Sequence, residues 1–119
     1  WFTDPAYGIE TDYEGHKCKQ EQDGCYVYCL DPKTGKLKAV VTDMDRPNGL
    51  AFSPDESILY VADSAKSHGP ERPHHIRAYK VGSGNRVSGG KVFIAIDPER
   101  FMRIDEFKRR DPAGNHEVR

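Results

Sequence analysis

Apolar and polar residues alternate in short runs along this chain, with turn residues between them. Leu50 and Phe52 flank Ala51, and Leu59, Val61 and Asp63 alternate with Tyr60 and Ala62. Ser53-Pro54-Asp55-Glu56 separates the two runs. Alternation with period two around a cluster of turn formers predicts a β-hairpin. The same pattern predicts further strands over Trp1 to Asp4, Cys25 to Leu30, Lys36 to Thr42, Ile76 to Lys80 and Lys91 to Ile96. Between them lie turn clusters such as Asp31-Pro32-Lys33-Thr34-Gly35 and Gly82-Ser83-Gly84-Asn85. No segment sustains a helical period, so the expected class is all-β.

An internal echo points to repeated units. Trp1-Phe2-Thr3-Asp4 parallels Tyr60-Val61-Ala62-Asp63, and Tyr26-Val27-Tyr28 with its following turn parallels Arg77-Ala78-Tyr79 with a glycine-rich one. Repeats of short strands suit an architecture in which each unit buries its face against the next.

One place carries candidate chemistry. Pro47 fixes φ ahead of the hairpin and Gly49 permits close backbone approach, so Asn48 between them projects its amide from a constrained loop. An amide oxygen is a hard neutral ligand suited to calcium, magnesium or a zinc site completed by carboxylates. Taken alone, a Pro-Asn-Gly triplet equally fits an Asn that only caps its own turn.

The flanks extend the picture. Pro47-Asn48-Gly49-Leu50-Ala51-Phe52-Ser53-Pro54-Asp55, Trp1-Phe2-Thr3-Asp4-Pro5-Ala6-Tyr7-Gly8, Tyr13-Glu14-Gly15-His16, His75-Ile76-Arg77-Ala78-Tyr79 and Gly89-Gly90-Lys91-Val92-Phe93 occur together. In this set the chain resembles the senescence-marker-protein, gluconolactonase and luciferin-regenerating-enzyme-like family of six-bladed β-propellers. The resemblance implies a fragment of such a propeller, about two blades of antiparallel four-stranded sheets. Trp1 to Asp43 would supply three strands of one blade and Arg46 to Ile96 a complete blade. Residues 1–107 are the expected partial propeller and 108–119 an irregular polar tail.

The resemblance also implies metal-assisted hydrolysis of a sugar lactone, with a divalent metal (calcium or zinc) ligated by Asn48. Asp4 and Tyr7 of the Thr-Asp-Pro-x-Tyr-Gly match are implied substrate contacts, although Asp4 also fits a turn initiator before Pro5 and Tyr7 fits packing between blades. The family's Glu ligand would lie upstream of Trp1. Its Asp-Gly ligand pair is not at its place, since Arg100-Phe101 runs directly into Met102-Arg103-Ile104-Asp105-Glu106. Weak metal binding is the expectation. Asp105 or Glu99 as substitute ligands compete with a reading of both as solvated charges, and no catalytic residue is assigned. Two functions stay open: a truncated gluconolactonase-like hydrolase, active or inactive, and a noncatalytic propeller fragment that associates through its open strand edges.

Composition narrows the partners. A formal net charge of −1 with 31% charged residues predicts no general affinity for nucleic acid or anionic membrane. No apolar run approaches the roughly 20 residues that cross a bilayer. The chain opens on Trp1 without a Met, so it is expected to be a piece of a longer protein, and a leader upstream stays open. Cys18, Cys25 and Cys29 are an odd set without a Cys-x-x-Cys pair, which favours free thiols over a disulfide framework or zinc knuckle and leans to a reducing, cytoplasmic compartment. Asp63 reads as a loop cap, His16 has no assigned role, and His74 and His75, adjacent on an extended chain, point to opposite faces. The basic cluster Arg100, Arg103, Lys108, Arg109 and Arg110 is interleaved with acids and reads as a solvated tail. Gly82-Ser83-Gly84-Asn85, with no helix pattern behind it, is not a phosphate loop.

Overall fold

The structure is a computed structural model that describes residues 1–96. Among the described residues seven strands form, most of them where the alternation places them: β1 (Phe2–Asp4), β2 (Tyr26–Leu30), β3 (Leu37–Val41), β4 (Pro47–Phe52), β5 (Ile58–Asp63), β6 (His75–Gly82) and β7 (Arg86–Ala95). They build two antiparallel sheets, one of order β1-β2-β3 and one of order β4-β5-β6-β7. The tail 108–119, the basic cluster, Glu99 and Asp105 lie outside the described residues.

Three local features depart from the pattern. A single helical turn, α1 (Tyr7–Glu10), follows β1 and is too short to leave a period in the sequence. β4 begins at Pro47 rather than Leu50, because Pro47 pairs with Asp63 and Leu50 with Val61, leaving Asn48 and Gly49 opposite Ala62 alone. This is a bulge, with Gly49 at φ 100°. β7 begins at Arg86 rather than Lys91, because Gly89 and Gly90 at positive φ interrupt the alternation without ending the ladder. Gly90 is required there: a Cβ would come within 2.6 Å of the Tyr79 ring.

The hairpin turn is built by its own side chains. Asp55 Oδ1 accepts from Ser53 Oγ (2.6 Å), Ser57 N (3.1 Å) and Ser57 Oγ (2.8 Å), and these bonds, Ser53 first, hold the Asp55 carboxyl down at about 2. Below the turn, β5 sends Leu59, Val61 and Asp63 inward and Ile58, Tyr60 and Ala62 toward the half-exposed side.

The two sheets share one core. Val27, Val41 and Met44 from the first meet Leu59, Val61 and Tyr79 from the second. Trp1 packs edge-on against Phe52 with ring centroids 5.2 Å apart, closing one border of this seam. Fully burying a side chain the size of Leu or Val contributes roughly 1.5–3 kcal/mol, so Val27, Leu59 and Val61, none of them exposed, are its strongest members. Polar contacts fasten the other border: Asp43 accepts from Tyr79 Oη (3.0 Å) and Arg77 Nη1 (3.0 Å).

The buried Asp63 holds the crossover between the sheets. Its carboxylate accepts from the backbone N–H groups of Asp45 (2.9 Å), Arg46 (3.1 Å) and Ala65 (3.1 Å), which is the loop cap expected of it. Hydrogen bonds to a charged acceptor contribute about 1.5–3 kcal/mol each, and here three donors would be stranded together. Asp63→Ala is therefore expected to destabilise the chain by about 3 kcal/mol or more, read from the midpoint of urea unfolding. An unchanged midpoint would show the crossover is held by packing alone.

Tyr79 supplies an alkaline test. Burial first, and then the charge and hydrogen bond of Asp43, push its phenol up to about 12. The neutral form is favoured in the fold, so this contribution is complete below the unfolded value of about 10 and is lost as pH rises toward 12. Tyr26 and Tyr28 are also raised, so ultraviolet titration should show Tyr79 as the last tyrosine to ionise, with that final step absent in Tyr79→Phe.

Candidate functional site

One end of the two sheets gathers polar side chains from four segments. The β4 bulge turns Asn48 outward, and Gly49, whose N–H donates to Thr3 Oγ1 of β1 (3.2 Å), pins the bulge to the neighbouring sheet. Asn48 Nδ2 donates to Ser64 Oγ at 3.2 Å. From α1, Tyr7 Oη lies 2.8 Å from Ser64 Oγ, 3.1 Å from Ser64 O and 3.3 Å from Ser67 Oγ. Tyr7, Glu14, Asn48, Ser64 and Ser67 line an open cavity of about 450 Å³.

Charged groups support this mouth from one side. Arg46 lies over the Tyr7 ring, 5.4 Å from its centroid, and pairs with Glu10. Glu10 also meets His68, with Nε2 and Oε2 2.6 Å apart. Partial burial works to raise the Glu10 carboxyl, but the hydrogen bonds from His68 and Arg46 and their charges outweigh it and hold the group below its ordinary range.

The sequence expectations separate here. Tyr7 and Asn48 come together through Ser64. Asp4 does not join them: it pairs with Tyr26 across β1 and β2 and lines a different cleft, of about 480 Å³, shared with Cys18 and Cys25. Cys18 is exposed, Cys25 and Cys29 are buried, and all are free thiols. His16 is exposed, and its backbone N–H donates to Gly8 O. His75 sits on β6, where burial and the neighbouring Arg77 push its pKa down. Gly82 ends β6, and Ser83–Asn85 form only the tight turn into β7.

Ser64, Ser67, His68, Glu10 and Arg46 were not legible as a site. Ser64 follows the Asp63 loop cap, which was a usable signal. Nothing in the local pattern links Glu10 to His68, 58 residues away.

As a metal ligand, Asn48 has the right kind of atom. Its Nδ2 is used by Ser64, which leaves Oδ1 for a hard cation, and Ser64 Oγ and Glu14 also border the cavity. The number is insufficient. Among the described residues no three His, Cys, Asp or Glu side chains converge to hold an ion. These residues fit part of a site, not a whole one.

Two stacked antiparallel sheets with a polar mouth at one end fit adjoining blades of a β-propeller. The chain belongs to the SMP-30/gluconolactonase/LRE-like family, whose profile matches residues 1–111. It is 40% identical over 67 residues to a gluconolactonase of Zymomonas mobilis, covering 56% of this chain and 18% of that protein. It is 36% identical over 97 residues to the lactonohydrolase oryL of Aspergillus oryzae, covering 82% of this chain and 21% of that protein. A solved gluconolactonase of Xanthomonas campestris superposes with a TM-score of 0.71 at 32% identity, covering 81% of this chain and 30% of that one. The chain thus spans about a fifth of the length of these curated relatives and under a third of the solved structure.

The Glu10 pairing predicts an acid limb. A carboxyl held below its unfolded value of about 4.3 contributes stability that is present above that pH and is lost as pH falls through the folded value. The Glu10 carboxyl should titrate below the ordinary range by carbon-detected NMR. Glu10→Gln should remove the matching part of the acid unfolding limb, and a Glu10 that titrates at the ordinary value would break the pairing.

Proposed function

We propose that this chain is part of a lactone hydrolase of gluconolactonase type. The observation that carries the reading is the bulge that aims Asn48 into the same opening as Tyr7 and Ser64. Hydroxyl and amide groups around an open, water-accessible cavity suit a ligand bearing several hydroxyls, such as a sugar lactone. Tyr7 Oη and the amide of Asn48 would orient the ring by hydrogen bonds, and Arg46 beneath Tyr7 keeps its phenol in place.

The expected calcium or zinc would take Asn48 Oδ1 as its ligand from the described residues, with carboxylates from elsewhere in the ring. When bound, such an ion polarises a carbonyl and lowers the pKa of a water. The chain's own part is to hold the ligand atom, orient the sugar and keep Ser64 paired.

The alternative, a noncatalytic fragment that associates through strand edges, draws on β7. Among the described residues that strand is the last of the second sheet, and Val92, Phe93 and Ile94 on it are about half exposed.

The purified chain should hydrolyse glucono-1,5-lactone in a pH-stat with calcium or zinc present, and chelation should return the rate to the spontaneous background. Partners of metal ligands typically matter by 10–100-fold, so loss of a ligand itself should lower the rate by about tenfold or more in Asn48→Ala. No rate above background would overturn activity for this chain. A rate indifferent to Asn48 would overturn the site.

A further inference from the structure

The same end of the molecule carries a second constellation that the lactone reading does not use. Ser67 and His68 are consecutive residues of the 3-10 turn Ala65–His68, and Glu10 closes α1 across from them. Ser67 Oγ is 2.8 Å from His68 Nδ1, and His68 Nε2 is 2.6 Å from Glu10 Oε2. An ionised carboxylate only accepts, so Nε2 carries the hydrogen of this pair. In the neutral ring Nδ1 is then the acceptor, and at 2.8 Å it is nearer to the Ser67 hydroxyl than the second acceptor in reach, Ser64 O at 3.1 Å.

Nucleophile, base and orienting carboxylate stand in the order used for acyl transfer. The ring nitrogens are exchanged relative to the serine protease arrangement, since here the carboxylate meets Nε2 and the serine meets Nδ1. Three surrounding features fit the role. Arg46 occupies the other Glu10 oxygen and so fixes the carboxylate toward His68. Ser67 is exposed, and with His68, Glu10 and Tyr7 it lines a cavity of about 410 Å³ that shares Tyr7, Glu14 and Ser67 with the Asn48 opening. Tyr7 Oη, 3.3 Å from Ser67 Oγ, is a hydroxyl donor within reach of a developing oxyanion.

We propose that Ser67, with His68 as its base and Glu10 as the orienting carboxylate, is a nucleophile toward carboxylic esters at this mouth. Ser67 Oγ bonds to the ester carbonyl carbon while its proton passes to His68 Nδ1. The carbon–oxygen bond to the leaving alcohol then breaks, and that proton moves to the departing oxygen. The product is an acyl ester on Ser67. Water attacks it by the same relay, releasing the carboxylic acid and restoring the hydroxyl. No metal, oxidant or further reactant enters the balance, so the proposal stands apart from Asn48 and its ion.

The test uses the full chain in EDTA, which separates it from metal-dependent lactone turnover. A fluorophosphonate probe should add once, with the adduct on the peptide that contains Ser67, and p-nitrophenyl acetate should release p-nitrophenol. Ser67→Ala should abolish both signals. General-base catalysis contributes about 10²–10⁴-fold, so His68→Gln should slow labelling by about 100-fold or more, read at a temperature well below its own melting point because the ring also pairs with Glu10. Glu10 also holds Arg46, so Glu10→Gln is read beside its own melting curve. Absence of an adduct, an adduct elsewhere, or equal labelling of Ser67 in His68→Gln would each overturn the proposal.

Discussion

The Asp63 carboxylate, 1% exposed at the inner end of β5, is the point on which the mouth of this molecule depends. It stands in the same inward row as Leu59 and Val61, where an unpaired charge would be costly. Three backbone N–H groups make the position tolerable: two from the crossover that leads out of the first sheet, and one from the turn that follows β5. The bonds fix Arg46 on one side and the start of the Ala65–His68 turn on the other. Ser64 N then donates back to Arg46 O at 3.3 Å, closing the knot. Ser64, Ser67 and His68 belong to the turn it anchors, and Tyr7 and Glu10 meet it through Ser64 and Arg46.

The strands were legible because burial imposes a period of two. Leu59, Val61 and Asp63 in β5 show it without interruption, and the Ser53–Ser57 turn reinforces it with its own hydroxyls and carboxylate. The failures lie where backbone geometry breaks the period. Gly49 and Gly90 at positive φ lie outside the strand starts that the alternation gives, yet each sits inside a ladder whose register shifts by a residue to accept it, while Gly89, also at positive φ, stays paired with Tyr79. A bulge leaves the pairing of distant residues intact while scrambling the local alternation, so the strand starts at Pro47 and Arg86 could not be read from the pattern.

The site divided along a similar line. Asn48 and Tyr7 were singled out because each lies in a recognisable block, and the topology joins those blocks at one end. Asp4 belongs to the same block as Tyr7 but parts from it, since α1 begins just after Pro5 and carries Tyr7 toward Ser64 while Asp4 stays in the β1–β2 ladder. The relay of Ser67, His68 and Glu10 left no trace in the pattern. Its members are ordinary surface residues until the crossover held by Asp63 brings their segments together.

Hydrogen-bond direction connects the two groups of residues at the mouth. Asn48 Nδ2 can only donate, so Ser64 Oγ accepts from it and is free to give its own proton to Tyr7 Oη, 2.8 Å away. Tyr7 has one proton, and its acceptors are Ser64 O at 3.1 Å and Ser67 Oγ at 3.3 Å. Whatever occupies Asn48 Oδ1 also fixes the orientation of that amide and so keeps Nδ2 on Ser64 Oγ. Ser67 Oγ has two acceptors in reach, His68 Nδ1 at 2.8 Å and Ser64 O at 3.1 Å, so its proton reaches His68 only when it leaves the carbonyl that Tyr7 also approaches. Asn48 and Ser67 thus border one small group of hydroxyls, and Tyr7 is the residue that meets both Ser64 and Ser67.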